Sequence, residues 1–251
     1  MKKLVTAVSL ALASTNVAAL PLIDVWAGGY SWQTQYNGFV NADPSNLDLQ
    51  DDLNLEDSSN NVLWAAFEHP VPLIPNVQIK KTELETTGQA NFDQNYNFGG
   101  ESTGQNSLDI MANLNHTDLT LYYGLPLPIA TIDFGLNVRQ FETDFMIGNA
   151  SSDFDGYVPM LFARVGAELP FTGLAVMAEA NYVGYGETNH TDYQVVVRYA
   201  LPFVPVLDIN IEAGYRAFEL NLDPTDFGGD DNDLTVDVDM SGVFLGISFH
   251  L

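Results

Sequence analysis

Two kinds of connection alternate along this chain, and they differ in length and chemistry. The short kind is rich in proline: His69-Pro70-Val71-Pro72-Leu73-Ile74-Pro75-Asn76, Gly124-Leu125-Pro126-Leu127-Pro128, Leu169-Pro170-Phe171-Thr172-Gly173 and Leu201-Pro202-Phe203-Val204-Pro205. The other kind is longer, polar and mostly acidic, as in Asp43 to Asn61 and Asp223 to Asp233. Between them apolar and polar residues alternate, the period of a β-strand with two different faces. Proline cannot donate to a strand ladder, so it belongs at a rim. Short turns on one rim and long loops on the other are the pattern of an all-β, antiparallel up-and-down barrel of the outer-membrane type.

The alternation is clearest in the second half. Ile132, Phe134, Leu136 and Val138 alternate with Asp133, Gly135, Asn137 and Arg139, and Ile209, Ile211, Ala213 and Tyr215 alternate with Asp208, Asn210, Glu212, Gly214 and Arg216. Strands are expected at about residues 22–36, 61–69, 77–87, 108–123, 129–145, 157–169, 174–185, 192–201, 206–220 and 234–251. That makes ten, an even number as a single-chain bacterial barrel requires. The proline turns follow the even-numbered strands and face the periplasm, together with both termini; the other five connections are expected as extracellular loops. Gly28-Gly29 obscures the phase of the first strand, which predicts a bulge or a close backbone approach there. A soluble β-sandwich would also alternate. Strands of about ten residues suit a tilted bilayer crossing better. Aromatics at strand ends suggest two interfacial girdles: Tyr122, Tyr123, Phe171, Tyr199, Phe203 and Phe249 near the turns, and Tyr30, Trp32, Phe141, Phe145, Tyr157, Tyr182, Tyr185, Tyr193 and Phe218 toward the loops.

Export fits this architecture. Met1-Lys2-Lys3, an apolar run from Leu4 to Ala13, and Val17-Ala18-Ala19 read as a signal peptide over residues 1–19, leaving one barrel domain over 20–251. Loss of Lys2 and Lys3 leaves 6 basic residues against 33 acidic ones, a net charge of −27. Nucleic acid is thereby excluded as a partner, because it needs clustered cations. Outer-membrane lipid and lipopolysaccharide, with the barrel-assembly machinery during biogenesis, are the expected partners of a monomer in the outer membrane of a Gram-negative cell. With no cysteine in the chain there is no disulfide framework. Asn115-His116-Thr117, Asn149-Ala150-Ser151 and Asn189-His190-Thr191 match a glycosylation pattern that carries no weight in such a chain.

Candidate chemistry lies on the lumen phase. Asp133, Arg139, Arg164, Glu168, Glu179, Arg198, Asp208, Glu212 and Arg216 all fall on it. Charge facing lipid at mid-depth costs about 2–4 kcal/mol for Arg or Lys, which forces this phase. In a narrow barrel the expectation is a paired network that fills the lumen; the competing reading is a channel lined by these groups. His116 and Asp118 share a phase and are expected to pair inside the lumen, the alternative being half of a hydrolytic site. No catalytic residue is assigned. The loop bearing Asp223, Asp226, Asp230, Asp231 and Asp233 is dense in oxygen ligands, yet lacks the order of an EF-hand. It is expected to be a solvated loop, with weak Ca²⁺ or Mg²⁺ binding as the alternative and no other cofactor. Asn46 to Asp57 alternates Leu with acid and is expected to pack back over the barrel mouth as a short cap.

With Leu20-Pro21-Leu22-Ile23-Asp24-Val25-Trp26-Ala27-Gly28-Gly29, the stretches Leu63-Trp64-Ala65-Ala66-Phe67-Glu68-His69-Pro70, His116-Thr117-Asp118-Leu119-Thr120-Leu121-Tyr122-Tyr123 and Phe134-Gly135-Leu136-Asn137-Val138-Arg139 resemble a family of proteobacterial outer-membrane proteins named for a Gly-Gly feature near the mature start. The resemblance covers most of the chain and implies location and fold only. Three function classes follow. The leading one is a non-enzymatic structural or surface-binding protein. The second is a narrow channel for small solutes, and the third an omptin-like or lipid-modifying enzyme.

Overall fold

A computed structural model of the chain describes residues 23–71, 73–98, 100–104, 106–125, 127–186, 188–202, 207–222, 226 and 236–251. The expected signal peptide, residues 1–19, lies outside the described residues, as do Asp223, Asp230, Asp231 and Asp233. Ten strands form the barrel: β1 (Asp24–Val40), β2 (Ser58–Glu68), β3 (Asn76–Glu83, resuming after Leu84 as Glu85–Phe92), β4 (Asn106–Gly124), β5 (Ala130–Ile147), β6 (Ala150–Leu169), β7 (Leu174–Tyr185), β8 (Thr188–Ala200), β9 (Asp208–Leu222) and β10 (Val236–His250), with the short segment Leu47–Asp48 added to the sheet beside β1 and a separate pair, Asn97–Phe98 with Glu101–Ser102. Each pairs antiparallel with its neighbour, and β10 returns to β1 from Trp26↔His250 to Val40↔Val236. Closure leaves no sheet edge, which a strand structure in hydrocarbon cannot tolerate.

Leu84 interrupts β3, and two asparagines repair the ladder. The Leu84 N–H donates to Asn115 Oδ1 at 2.8 Å and the Glu85 N–H to Asn60 Oδ1 at 3.0 Å. The glycine pair in β1 needs no bulge, since the register runs evenly through Gly28↔Ser248 and Gly28↔Trp64. Close approach is the reason for glycine here: a Cβ on Gly28 would sit 2.9 Å from the Ile247 carbonyl and 2.9 Å from the Trp64 ring.

Several strands run further toward the loop end than their alternation suggests. β6 begins at Ala150, and only Gly148-Asn149 separates it from β5, with Gly148 at φ 61°. This corrects the long loop expected there. Above the membrane the outer face of a strand meets water, so Ser151, Asp153 and Asp155 replace apolar residues and the alternation vanishes while the ladder continues.

The exterior carries an apolar belt that includes Leu63, Ile79, Leu121, Phe134, Leu136, Leu161, Val165, Val197, Val243, Leu245 and Ile247, all exposed. A belt of this extent is untenable in water and is covered by lipid acyl chains. Tyr123 and Tyr199 near the turns, with Tyr157, Tyr182, Tyr185 and Tyr193 toward the loops, face outward. Tyr30, Trp32, Tyr122, Phe141, Phe145 and Phe218 are instead buried inside, which corrects their place in the girdles. Adjacent residues such as Tyr122 and Tyr123 face opposite sides of a pleated strand, so nearness to a rim does not decide the side.

At the loop end the barrel is stoppered. Leu47, Leu49, Leu53 and Leu55 are buried against Phe92, Phe98, Ile110, Phe145, Ile147, Leu220, Val238 and Met240 in one continuous cluster. The intervening Gln50, Asp51, Asp52, Asn54 and Glu56 face solvent. Asp48 Oδ1 accepts the N–H of Gln50 and of Asp51 at 2.8 Å each, which tightens the loop around its leucines.

Candidate functional site

Beyond residues 1–19 the chain has six basic residues, and five of them, Lys80, Arg139, Arg164, Arg198 and Arg216, project into the lumen. Lys81 points outward beside Glu83 at 3.6 Å. The five cations meet six carboxylates, those of Glu68, Asp118, Asp133, Glu179, Asp192 and Glu212. The interior is therefore close to neutral although the whole chain is strongly acidic.

The centre is a four-residue chain of ion pairs. Arg139 on β5 holds Asp118 on β4 through Nε at 2.7 Å and Nη2 at 2.8 Å. The same Nη2 reaches Asp192 on β8 at 2.5 Å. Asp192 also accepts from Arg216 on β9, through Nε at 2.8 Å and Nη2 at 2.7 Å. Asn137 completes the shell of Asp118 at 2.9 Å. Each histidine caps one guanidinium: Arg139 Nη1 donates to His190 Nε2 at 2.5 Å and Arg216 Nη2 to His116 Nε2 at 3.3 Å. On its other side each ring donates from Nδ1 to a carbonyl, Leu114 O at 3.0 Å and Glu219 O at 2.7 Å. Those partners assign both histidines as neutral Nδ1–H tautomers. Phe141 and Phe218 lie over the cluster, with the Arg139 guanidinium 5.4 Å from the Phe218 ring. Below it Lys80 pairs with Glu179, Arg164 with Asp133 at 2.8 Å, and Arg198 with Glu212 at 2.8 Å.

The nine lumen residues expected from the sequence divide in two. Asp133, Arg139, Arg164, Glu179, Arg198, Glu212 and Arg216 join these pairs, whereas Glu168 and Asp208 are exposed at the turn-end mouth. His116 and Asp118 line the same cluster, 2% exposed each, but neither bonds the other; both are held by arginines. Sequence reasoning missed Lys80, His190, Asp192 and Glu68. A signal for two of them was present. Asn-His-Thr-Asp occurs twice, at 115–118 and 189–192, followed each time by a Leu-Pro turn and then by Arg-x-Phe-Glu, at 139–142 and 216–219. The hairpins β4–β5 and β8–β9 thus carry the same His, Asp, Arg and Phe, and their two copies interlock across the lumen.

His116, Asp118 and Asp192 lie close enough to hold a metal ion. Two guanidinium groups already occupy those carboxylates, and a cation placed there would sit against both, so the donor set does not fit a metal. Asp226, the described residue of the acidic loop, accepts the Thr188 N–H at 2.8 Å.

One cavity lies beside the network. The lumen cavity bounded by Tyr30, Lys80, Arg164, Glu179, Arg198 and Glu212 measures about 30 Å³, room for one or two waters. No protein-family model matches the chain, and no curated protein matches it in sequence. Among solved structures it is similar to the outer membrane protease OmpT from Escherichia coli, at 10% identity over 92% of this chain and 97% of that chain, with a TM-score of 0.41. It is also similar to the outer membrane protein AlkL, at 12% identity over 92% and 90% with a TM-score of 0.37, and to the transport unit of the autotransporter AIDA-I from Escherichia coli, at 11% identity over 95% and 93% with a TM-score of 0.38. These likenesses are distant and concern the fold alone; none extends the resemblance to the Gly-Gly family. The closed barrel and its apolar belt make the chain an integral β-barrel protein of the outer membrane.

Proposed function

We propose that this protein is a non-conducting, non-enzymatic barrel whose role is structural or surface-binding, a monomer embedded among outer-membrane lipid and lipopolysaccharide. The observation that carries this reading is the filled lumen. Every lumen arginine and Lys80 is ion-paired, and the cavity beside them holds about 30 Å³. A pore needs a continuous wet path and groups that bind ions loosely enough to release them. Here the path is crossed by the Asp118–Arg139–Asp192–Arg216 chain and stoppered by four leucines. An enzymatic role for His116 is disfavoured on the same grounds. Both ring nitrogens are occupied, and the ring is 2% exposed. Within this proposal the resemblance to the Gly-Gly family rests on Gly28-Gly29, where the seam strand packs against Trp64. Planar-bilayer recording on refolded protein is the test. The expected trace is flat at moderate voltage, and reproducible unitary conductance steps would overturn the reading in favour of a channel.

A further inference from the structure

The turn-end mouth contains a second concavity that the lumen network does not use. It measures about 420 Å³, within the range of small-molecule sites, and Trp26, Ile129, Glu168, Leu174, Arg198 and Asn210 line it. Its floor is rigid. Arg198 spends Nε on Glu212 at 2.8 Å, and Glu212 is held again by Ser248 Oγ at 2.7 Å. The guanidinium rests on the Trp26 ring at 4.4 Å, and that ring stacks on His250 at 3.9 Å. The two Nη groups of Arg198 make no hydrogen bond to described residues. Asn210 is 3% exposed, and its Nδ2 has no hydrogen-bond partner there. A buried amide donor without an acceptor is costly, and here it lies on the same wall as an under-used guanidinium. Glu168, on the same rung as Arg198 with Ala175 between them, is exposed and forms no ion pair among the described residues, while Asp208 is already drawn to His250 at 3.4 Å.

We propose that this mouth binds a small zwitterion, a free amino acid or short free peptide, with its carboxylate on Arg198 and Asn210 and its ammonium on Glu168. The fork of Arg198 beside an amide donor suits a planar carboxylate. Ile129 and Leu174 supply the apolar wall for a small side chain. The Arg198–Glu212 floor blocks passage toward the lumen, so the site is a receptor pocket and not a pore entrance.

Titration calorimetry on the refolded full chain at low salt, with dialanine, N-acetyl-dialanine and dialanine amide as probes, tests this. Dialanine is expected to bind, and each blocked form to bind about tenfold more weakly. Glu168→Gln should weaken dialanine to the level of the acetylated probe and leave that probe unchanged. It removes no hydrogen bond or ion pair among the described residues, so heat-modifiable migration on unboiled gels should persist. Arg198→Met should weaken dialanine to the level of its amide and leave the amide unchanged. Absence of heat with every probe would overturn the proposal. So would equal affinity for dialanine and its amide, or unaltered dialanine binding by the Glu168→Gln protein.

Discussion

Asp192→Asn is the most direct test of how the lumen is held together. The Asp192 carboxylate accepts three charge-assisted bonds, from Arg139 Nη2 at 2.5 Å and from Arg216 Nε and Nη2 at 2.8 and 2.7 Å. Asparagine keeps the shape but removes the charge, and its amide group presents hydrogens to guanidinium donors. Arg139 retains Asp118 as a counter-ion. Arg216 retains only neutral partners: His116 at 3.3 Å, Thr82 at 3.2 Å and Tyr30 at 3.5 Å. Because Arg216 is 0% exposed, water cannot compensate. Breaking a buried pair on one side costs about 3–5 kcal/mol, a large part of a typical stability of about 5–15 kcal/mol. The assay is urea unfolding of the refolded protein in lipid vesicles, followed by tryptophan fluorescence. Asp192→Asn should lower the midpoint strongly. Adding Arg216→Met removes the orphaned charge and fills its space, so the double variant should recover about 2–3 kcal/mol as a coupling energy. A single-variant loss below about 1 kcal/mol, the range of an exposed pair, would refute the argument. A double variant as unstable as the sum of its parts would do the same.

Three other outcomes follow from the structure. Leu53→Ala, at a position 0% exposed, should cost about 2–5 kcal/mol locally and open the 41–57 loop to limited proteolysis while the barrel stays heat-modifiable. Gly28→Ala would place a Cβ 2.9 Å from the Ile247 carbonyl, and refolding yield should fall because the β1–β10 seam must spread. Leu136→Arg, on the lipid face at 60% exposure, should destabilise the inserted barrel by about 2–4 kcal/mol, whereas Leu136→Phe should be near neutral in the same urea titration.

The barrel was legible because lipid and lumen impose opposite demands on alternate residues. That constraint is local, so Ile132 to Arg139 reveals its two faces without any knowledge of neighbouring strands. Proline placement located the turns by the same kind of local reasoning. The constraint ends at the membrane surface, which is why the extension of β6 back to Ala150 and the tight Gly148-Asn149 turn were not visible. The leucine spacing in Asn46 to Asp57 did carry the cap, since a loop with alternate leucines has one face to bury.

What the sequence determined by itself was the inward phase of the charged residues in its cleanest strands, and that charges placed there need partners. It could not decide who pairs with whom. Arg139 meets Asp118 one strand away, but it also meets Asp192, 53 residues later, and Arg216 reaches His116 across 100 residues. Those meetings depend on the stagger of closed strands, which sets the height at which each lumen side chain stands. Lys80 illustrates the point: its strand alternates poorly and left it unplaced, and only barrel closure brings Glu179 against it. Tertiary structure alone also separated Glu168 and Asp208 from the network, because they share its phase but stand at the mouth, where water solvates them.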